Sequence, residues 1–134
     1  MIANELRIGN LLKLYDTGEL FTVTGLMQQS TGVKVYGITG DGTYCNLWIE
    51  HCEPIPIAPE LLEMLSLKKQ KQYYVIGFHN SKFSGLVKLK YDKILNLWVV
   101  NIGSYVDITR VGNIHELQNV IFALTGEELT IKPN

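Results

Sequence analysis

The sequence predicts an α+β protein, a β-rich N-terminal lobe followed by an antiparallel sheet packed by a C-terminal α-helix. Three observations carry that prediction. Short runs of β-forming residues, separated by glycine and aspartate turns, fill positions 11–49. A second series of alternating runs spans 73–109. Last comes an apolar stripe at helical spacing, Ile114, Leu117, Ile121 and Leu124, between a capping asparagine and a stopping glycine. A chain of 134 residues buries roughly two-thirds of its unfolded surface, so stability demands neither disulfide nor metal.

The first strand, 11–15, ends at Asp16-Thr17-Gly18, a turn signal. The next, 19–27, is rich in Phe21, Thr22, Val23 and Thr24, and Ser30-Thr31-Gly32 turns it into 33–39. Gly40-Asp41-Gly42 then supplies a three-residue hairpin loop, because glycine accepts the positive φ such a loop requires. Closing Thr39 on Thr43 sets Gly37 opposite Cys45, Val35 opposite Leu47 and Val33 opposite Ile49 on one face. The other face receives Lys34 with Trp48, Tyr36 with Asn46 and Ile38 with Tyr44. Strands of this length, ending in Glu53-Pro54-Ile55-Pro56-Ile57, resemble a small Src-homology-3-like or Tudor-like β-barrel.

Pro59 suits the first position of a short helix over 60–67, burying Leu61, Leu62 and Leu65. Lys68-Lys69-Gln70-Lys71 is a solvated connector, which gives the domain boundaries 1–67 and 68–134. Beyond it, a two-residue loop at Asn80-Ser81 pairs Phe78 with Phe83, Ile76 with Gly85 and Tyr74 with Val87. A turn near Asp92-Lys93 leads into 94–102, with Trp98 and Val100 facing Val87 and Gly85, and 105–109 forms a further strand. Asn113 and Glu116 make a capping box for the final helix, and Gly126 ends it. Leu129-Thr130-Ile131 is expected to add a closing strand, and His115, in the first helical turn, to be exposed.

Composition narrows the class. With 46% hydrophobic and 19% charged residues and a net charge of −1, the chain is neither a disordered tail, a collagen-like fibre nor a strongly basic nucleic-acid wrapper. Charge is asymmetric: residues 1–65 sum to −5 and residues 66–134 to +4. The start lacks the apolar core of a signal peptide, no run approaches a membrane span, and Cys45 and Cys52 fit free thiols. A soluble cytoplasmic protein is expected.

Asn4-Glu5-Leu6-Arg7-Ile8-Gly9-Asn10 resembles the opening of a family of small proteins in prophages and mobile elements of gut Bacteroidetes. The ending, His115-Glu116-Leu117-Gln118-Asn119-Val120-Ile121-Phe122-Ala123-Leu124-Thr125-Gly126-Glu127-Glu128-Leu129, and the mid-chain Glu53-Pro54-Ile55-Pro56-Ile57 are similar to the same family. The resemblance implies a mobile-element origin and a bacterial cytoplasm, and brings no site residue with it.

Chemistry is sparse. His51 adjoins Cys52 and Cys45 lies seven residues earlier, spacings unlike those of a structural zinc site, so no metal and no cofactor is expected. No nucleophile elbow, zincin helix or P-loop occurs, and Glu50, Glu53, Glu127 and Glu128 are explained as solvated carboxylates, so no catalytic residue is assigned. Gln118 borders the apolar stripe, where its amide is expected to bond a neighbouring strand's backbone rather than contact a partner. Two binding surfaces stand out. Tyr36, Tyr44 and Trp48 share a sheet face that is either covered or open as a protein-binding patch. In 68–93, seven lysines face a single Asp92, and Lys82, Lys88 and Lys90 with Tyr73 are candidates for single-stranded nucleic acid. The expected function is a non-catalytic protein-interaction or accessory module, with nucleic-acid binding as the alternative.

Overall fold

The computed structural model describes residues 3–102 and 106–131, with the backbone alone at Val106. The chain forms two compact units, Met1–Ile55 and Pro56–Asn134. The division falls between Ile55 and Pro56 rather than at the lysine run, so the proline-initiated helix belongs to the second unit.

The first unit is an antiparallel sheet of β1 (Leu11–Leu14), β2 (Leu20–Gln29), β3 (Gly32–Thr39), β4 (Tyr44–Trp48) and β5 (Cys52–Glu53). Its order is β4-β3-β2-β1-β5, and a single 3-10 turn, Ile49–His51, links β4 to β5. No ladder joins β4 to β5 among the described residues, so the expected closed barrel is an open sheet here. The turn before β1 is tied down locally: the Arg7 amide donates to Asn10 Oδ1 at 2.7 Å, and the Gly9 amide to the Val23 carbonyl at 2.8 Å. The core gathers Leu6, Leu12, Phe21, Val23, Val35 and Cys52, flanked by Leu14, Cys45, Leu47 and Ile49.

Gly37 is fixed by that core. A Cβ there would meet the Phe21 ring and stand 2.8 Å from the Thr22 carbonyl oxygen, so only glycine lets the phenyl ring lie across β3. The β3–β4 ladder follows the turn chemistry: Lys34 pairs with Trp48, Val35 with Leu47, Tyr36 with Asn46, Gly37 with Cys45 and Ile38 with Tyr44. Ile49, expected opposite Val33, has already entered the 3-10 turn. The Thr39 hydroxyl donates to Asp41, and the Thr43 amide reaches the same Asp41 oxygen at 3.1 Å. Those hydrogen bonds hold the Asp41 carboxyl below its usual 3.8.

The second unit opens with α1 (Pro59–Met64). Its sheet contains β6 (Lys68–Gln70), β7 (Tyr73–His79), β8 (Ser84–Asp92), β9 (Leu97–Ile102) and β10 (Val106–Val111), in the order β10-β9-β8-β7-β6. The lysine run is therefore not a connector but an edge strand, Lys68 opposite Val75 and Gln70 opposite Tyr73. Tyr105, the expected start of the last strand, lies outside the described residues.

Both β7–β8 and β8–β9 differ from the two-residue loops expected. The loops are four residues long, because Asn80 and Asp92 side chains close them. Asn80 Oδ1 accepts from the Lys82 and Phe83 amides, both at 2.8 Å, and Asp92 Oδ1 accepts from Ile94 at 2.9 Å and Leu95 at 3.2 Å. Phe78 therefore pairs with Gly85 and Ile76 with Val87, while Trp98 pairs with Tyr91 and Val87 with Ile102. These slips are of two and four residues, so the residues that remain in the strands keep their expected faces, while Phe83, Ile94 and Leu95 pass into the loops.

The last helix, α2 (Ile114–Thr125), carries the expected capping box at Asn113 and Glu116, and Gly126 ends it at φ 77°. Ile114, Leu117 and Ile121 are buried. At its start, Glu116 accepts from the Gly112 and Asn113 amides at 3.3 and 3.0 Å. At its end, Asn80 Nδ2 donates to the Thr125 carbonyl at 3.0 Å and to Glu127 at 2.6 Å. The helix thus runs from the end of β10 to the β7–β8 loop. His115, expected outside, is 1% exposed, because the buried arc of the helix extends past the apolar stripe to the side that His115 shares with Gln118, three residues on. Gln118 donates to the Leu129 carbonyl at 2.9 Å, an intramolecular backbone partner as expected, though in irregular chain rather than in a strand. Leu129, itself buried, lies in irregular chain that forms no strand. No helix among the described residues is long and apolar enough to cross a membrane.

Candidate functional site

The first candidate is the outer face of the β2–β3–β4 hairpins. Lys34 stands opposite both Met27 and Trp48, and Tyr36 opposite both Gly25 and Asn46. Tyr36, Tyr44 and Trp48 therefore share one face, as the alternation requires. Tyr44 is 80% exposed, Asn46 is exposed, and Lys34, Tyr36, Ile38 and Trp48 are half-buried. Lys34 Nζ lies 4.4 Å from the Trp48 ring centroid, a cation–π contact that holds both side chains along the sheet.

Sequence reasoning missed Met27. It is 49% exposed, and its sulfur receives a contact from Tyr36 Oη at 4.0 Å and from Gln29 Nε2 at 3.6 Å. A bulge between Val23 and Gly25 brings it to this face. The signal was Gly25 inside a β-forming run, since a glycine there marks a bulge. Met27, Tyr36, Ile38, Tyr44 and Trp48 make a mixed apolar and aromatic patch whose polar tips can reach a partner.

The second candidate is the outer face of the second sheet. Tyr73 pairs with Lys90, Lys90 with Val99, and Val99 with Arg110, so these side chains form a row across four strands. The adjacent row runs Lys68, Val75, Lys88, Asn101 and Asp107. Lys88 Nζ lies 5.5 Å from the Tyr73 ring centroid. Tyr73, Lys88 and Lys90 are thus brought together. Lys82 stands apart in the β7–β8 loop. Phe83, also in that loop, meets Phe78 edge-on at 6.4 Å, and Tyr91, expected to face inward, packs against Trp98 at 5.4 Å yet stays exposed.

The cysteines offer no nucleophile. Burial raises the Cys52 thiol to about 12, with the neighbouring Cys45 and Glu50 adding to the shift, and burial with Glu19 also raises Cys45. A thiol held neutral is inert at physiological pH. Among the described residues no three His, Cys, Asp or Glu side chains gather as a metal site would need. Glu53 faces Lys13 at 3.6 Å and Glu127 is bonded to Asn80. Comparison with family models, with curated proteins and with solved structures finds no match to this chain.

Proposed function

We propose that this chain is a non-catalytic interaction module of a mobile element, working in a bacterial cytoplasm, whose first unit binds a protein partner. The observation that carries the reading is the patch of Met27, Tyr36, Ile38, Tyr44 and Trp48 on one solvent-accessible sheet face. Tyrosine, tryptophan and methionine are enriched at protein interfaces, the aromatics because they bury large area on few rotatable bonds and methionine because its flexible thioether adapts to a partner. A short meander whose first strand pairs with both the second and the fifth supports a Src-homology-3-like reading of this unit.

The test combines stability with retention. Trp48→Ala should lower urea stability by about 1 kcal/mol or less, because the ring is only half-buried. The same variant should lose the host proteins that the tagged wild type retains, identified by mass spectrometry. An unchanged retained set, or a loss of about 3 kcal/mol as for a core residue, would overturn the reading.

A second reading, single-stranded nucleic-acid binding by the second unit, is favoured by one observation. The register sets Tyr73 beside Lys88 and Lys90 on one face, a stacking ring next to phosphate-neutralising charges.

A further inference from the structure

The outer face of the second sheet holds a cleft of about 570 Å³, lined by the cations Lys90, Lys93 and Arg110, the carboxylates Asp92 and Asp107, and Tyr73, Tyr91 and Asn101 among others. That volume lies within the range of small-ligand pockets. Asn101, 8% exposed, is among the lining residues, and its Oδ1 is buried with no hydrogen-bond partner among the described residues. A buried carbonyl without a donor is destabilising, so such a group needs a reason to persist.

The surroundings describe what would satisfy it. Lys90, Lys93 and Arg110 supply three positive charges against two lining carboxylates, of which Asp92 is already engaged by the Ile94 and Leu95 amides. Tyr73 supplies an aromatic face. Neighbouring strands lie about 4.8 Å apart, and same-face residues on one strand about 6.7 Å apart. Asn101, two residues beyond Val99 on β9, thus stands within the span of one nucleotide from the Tyr73–Lys90–Val99–Arg110 row.

We propose that this cleft binds one nucleotide unit, its phosphate held by Lys90, Lys93 and Arg110, its base against Tyr73, and a base N–H donated to Asn101 Oδ1. The proposal rests on the second reading above and adds the residue that reads the base. A free nucleotide and one residue of a single strand present the same chemistry, so the experiment separates them.

Fluorescence anisotropy at low salt with a labelled twelve-residue oligonucleotide gives the first arm, and competition by adenosine 5′-monophosphate or ribose 5-phosphate the second. The oligonucleotide should bind, Asn101→Leu should weaken it about tenfold, as loss of one well-placed hydrogen bond does, and urea stability of that variant should stay level or rise. Adenosine 5′-monophosphate should compete better than ribose 5-phosphate. Binding of the oligonucleotide that Asn101→Leu leaves unchanged would overturn the Asn101 site while the nucleic-acid reading stands. A mononucleotide that binds through Asn101, with no oligonucleotide binding, would support the site and remove the nucleic-acid reading. Binding of neither probe would overturn both, and equal competition by ribose 5-phosphate would overturn the base contact.

Discussion

Both units are five-stranded antiparallel sheets, the second a plain meander and the first a four-stranded meander whose β5 returns to pair with β1, and they bury their inner faces by different means. The first has no helix beyond single 3-10 turns among its described residues, and its core comes from its own strands and the Leu6 turn. Its β2 is ten residues long and bulged, and Phe21 must lie across a glycine for the face to close. The second has a twelve-residue amphipathic helix anchored at both ends, with a buried stripe of Ile114, Leu117 and Ile121. A sheet face has to be buried against something, and a helix brings a ready-made apolar stripe. The self-cored sheet depends on one aromatic ring; the helix-faced sheet depends on the anchors that place its helix.

The largest effect expected from that contrast is at Phe21. Phe21→Ala should cost about 4 kcal/mol, since the ring is fully buried and its glycine neighbour cannot refill the space. Urea melts followed by Trp48 fluorescence in a Trp98→Phe background report on the first unit alone, which holds Trp48 as its single tryptophan. A loss below about 1 kcal/mol would show that the first sheet does not rely on this ring.

Next comes the anchor of the second unit. Asn80→Ala removes two bonds that close the loop and two that reach the helix end, and should cost about 2 kcal/mol. The matching melts, followed by Trp98 in a Trp48→Phe background, sharpen the comparison. If the loss stays within about 0.5 kcal/mol, the helix is held by its apolar stripe alone.

The smallest effect belongs to the Gly40–Gly42 turn. Because the folded carboxyl of Asp41 titrates below 3.8, its contribution is present above that value and disappears as pH falls through the folded one. Melting temperature should therefore fall more steeply between about pH 5 and 2 for wild type than for Asp41→Asn. Parallel curves would mean that the turn is held by its glycines without help from the charge.

The sequence was legible where backbone chemistry leaves one solution. Two glycines around Asp41 admit one hairpin loop, and all five residue pairs of the β3–β4 ladder follow from it. The capping box of α2 is equally local. Loops closed by Asn80 and Asp92 were less legible, because a side chain that can cap several turn lengths does not specify one. Alternation still assigned the faces, so Tyr73, Lys88 and Lys90 stand together although their pairings moved. Asn101 was not singled out, since an asparagine between two valines and an isoleucine carries no mark of its burial until β8 and β10 flank it. His115 was misplaced for a related reason: one residue of helical rotation decides its side, and the helix is buried over a wider arc than its apolar stripe marks.

Asn80 has a consequence in time as well as in energy. Its Oδ1 closes a loop of neighbouring residues, an event on the scale of hairpin formation, about 1–10 μs. Its Nδ2 reaches partners 45 and 47 residues further along the chain. Contacts of such sequence separation form late, after the intervening strands have found their order. One side chain therefore joins an early step to a late one, and the hairpin that forms first is locked only when the end of the last helix arrives. Removing Asn80 should then slow folding through its lost loop bonds and speed opening through its lost helix-end bonds.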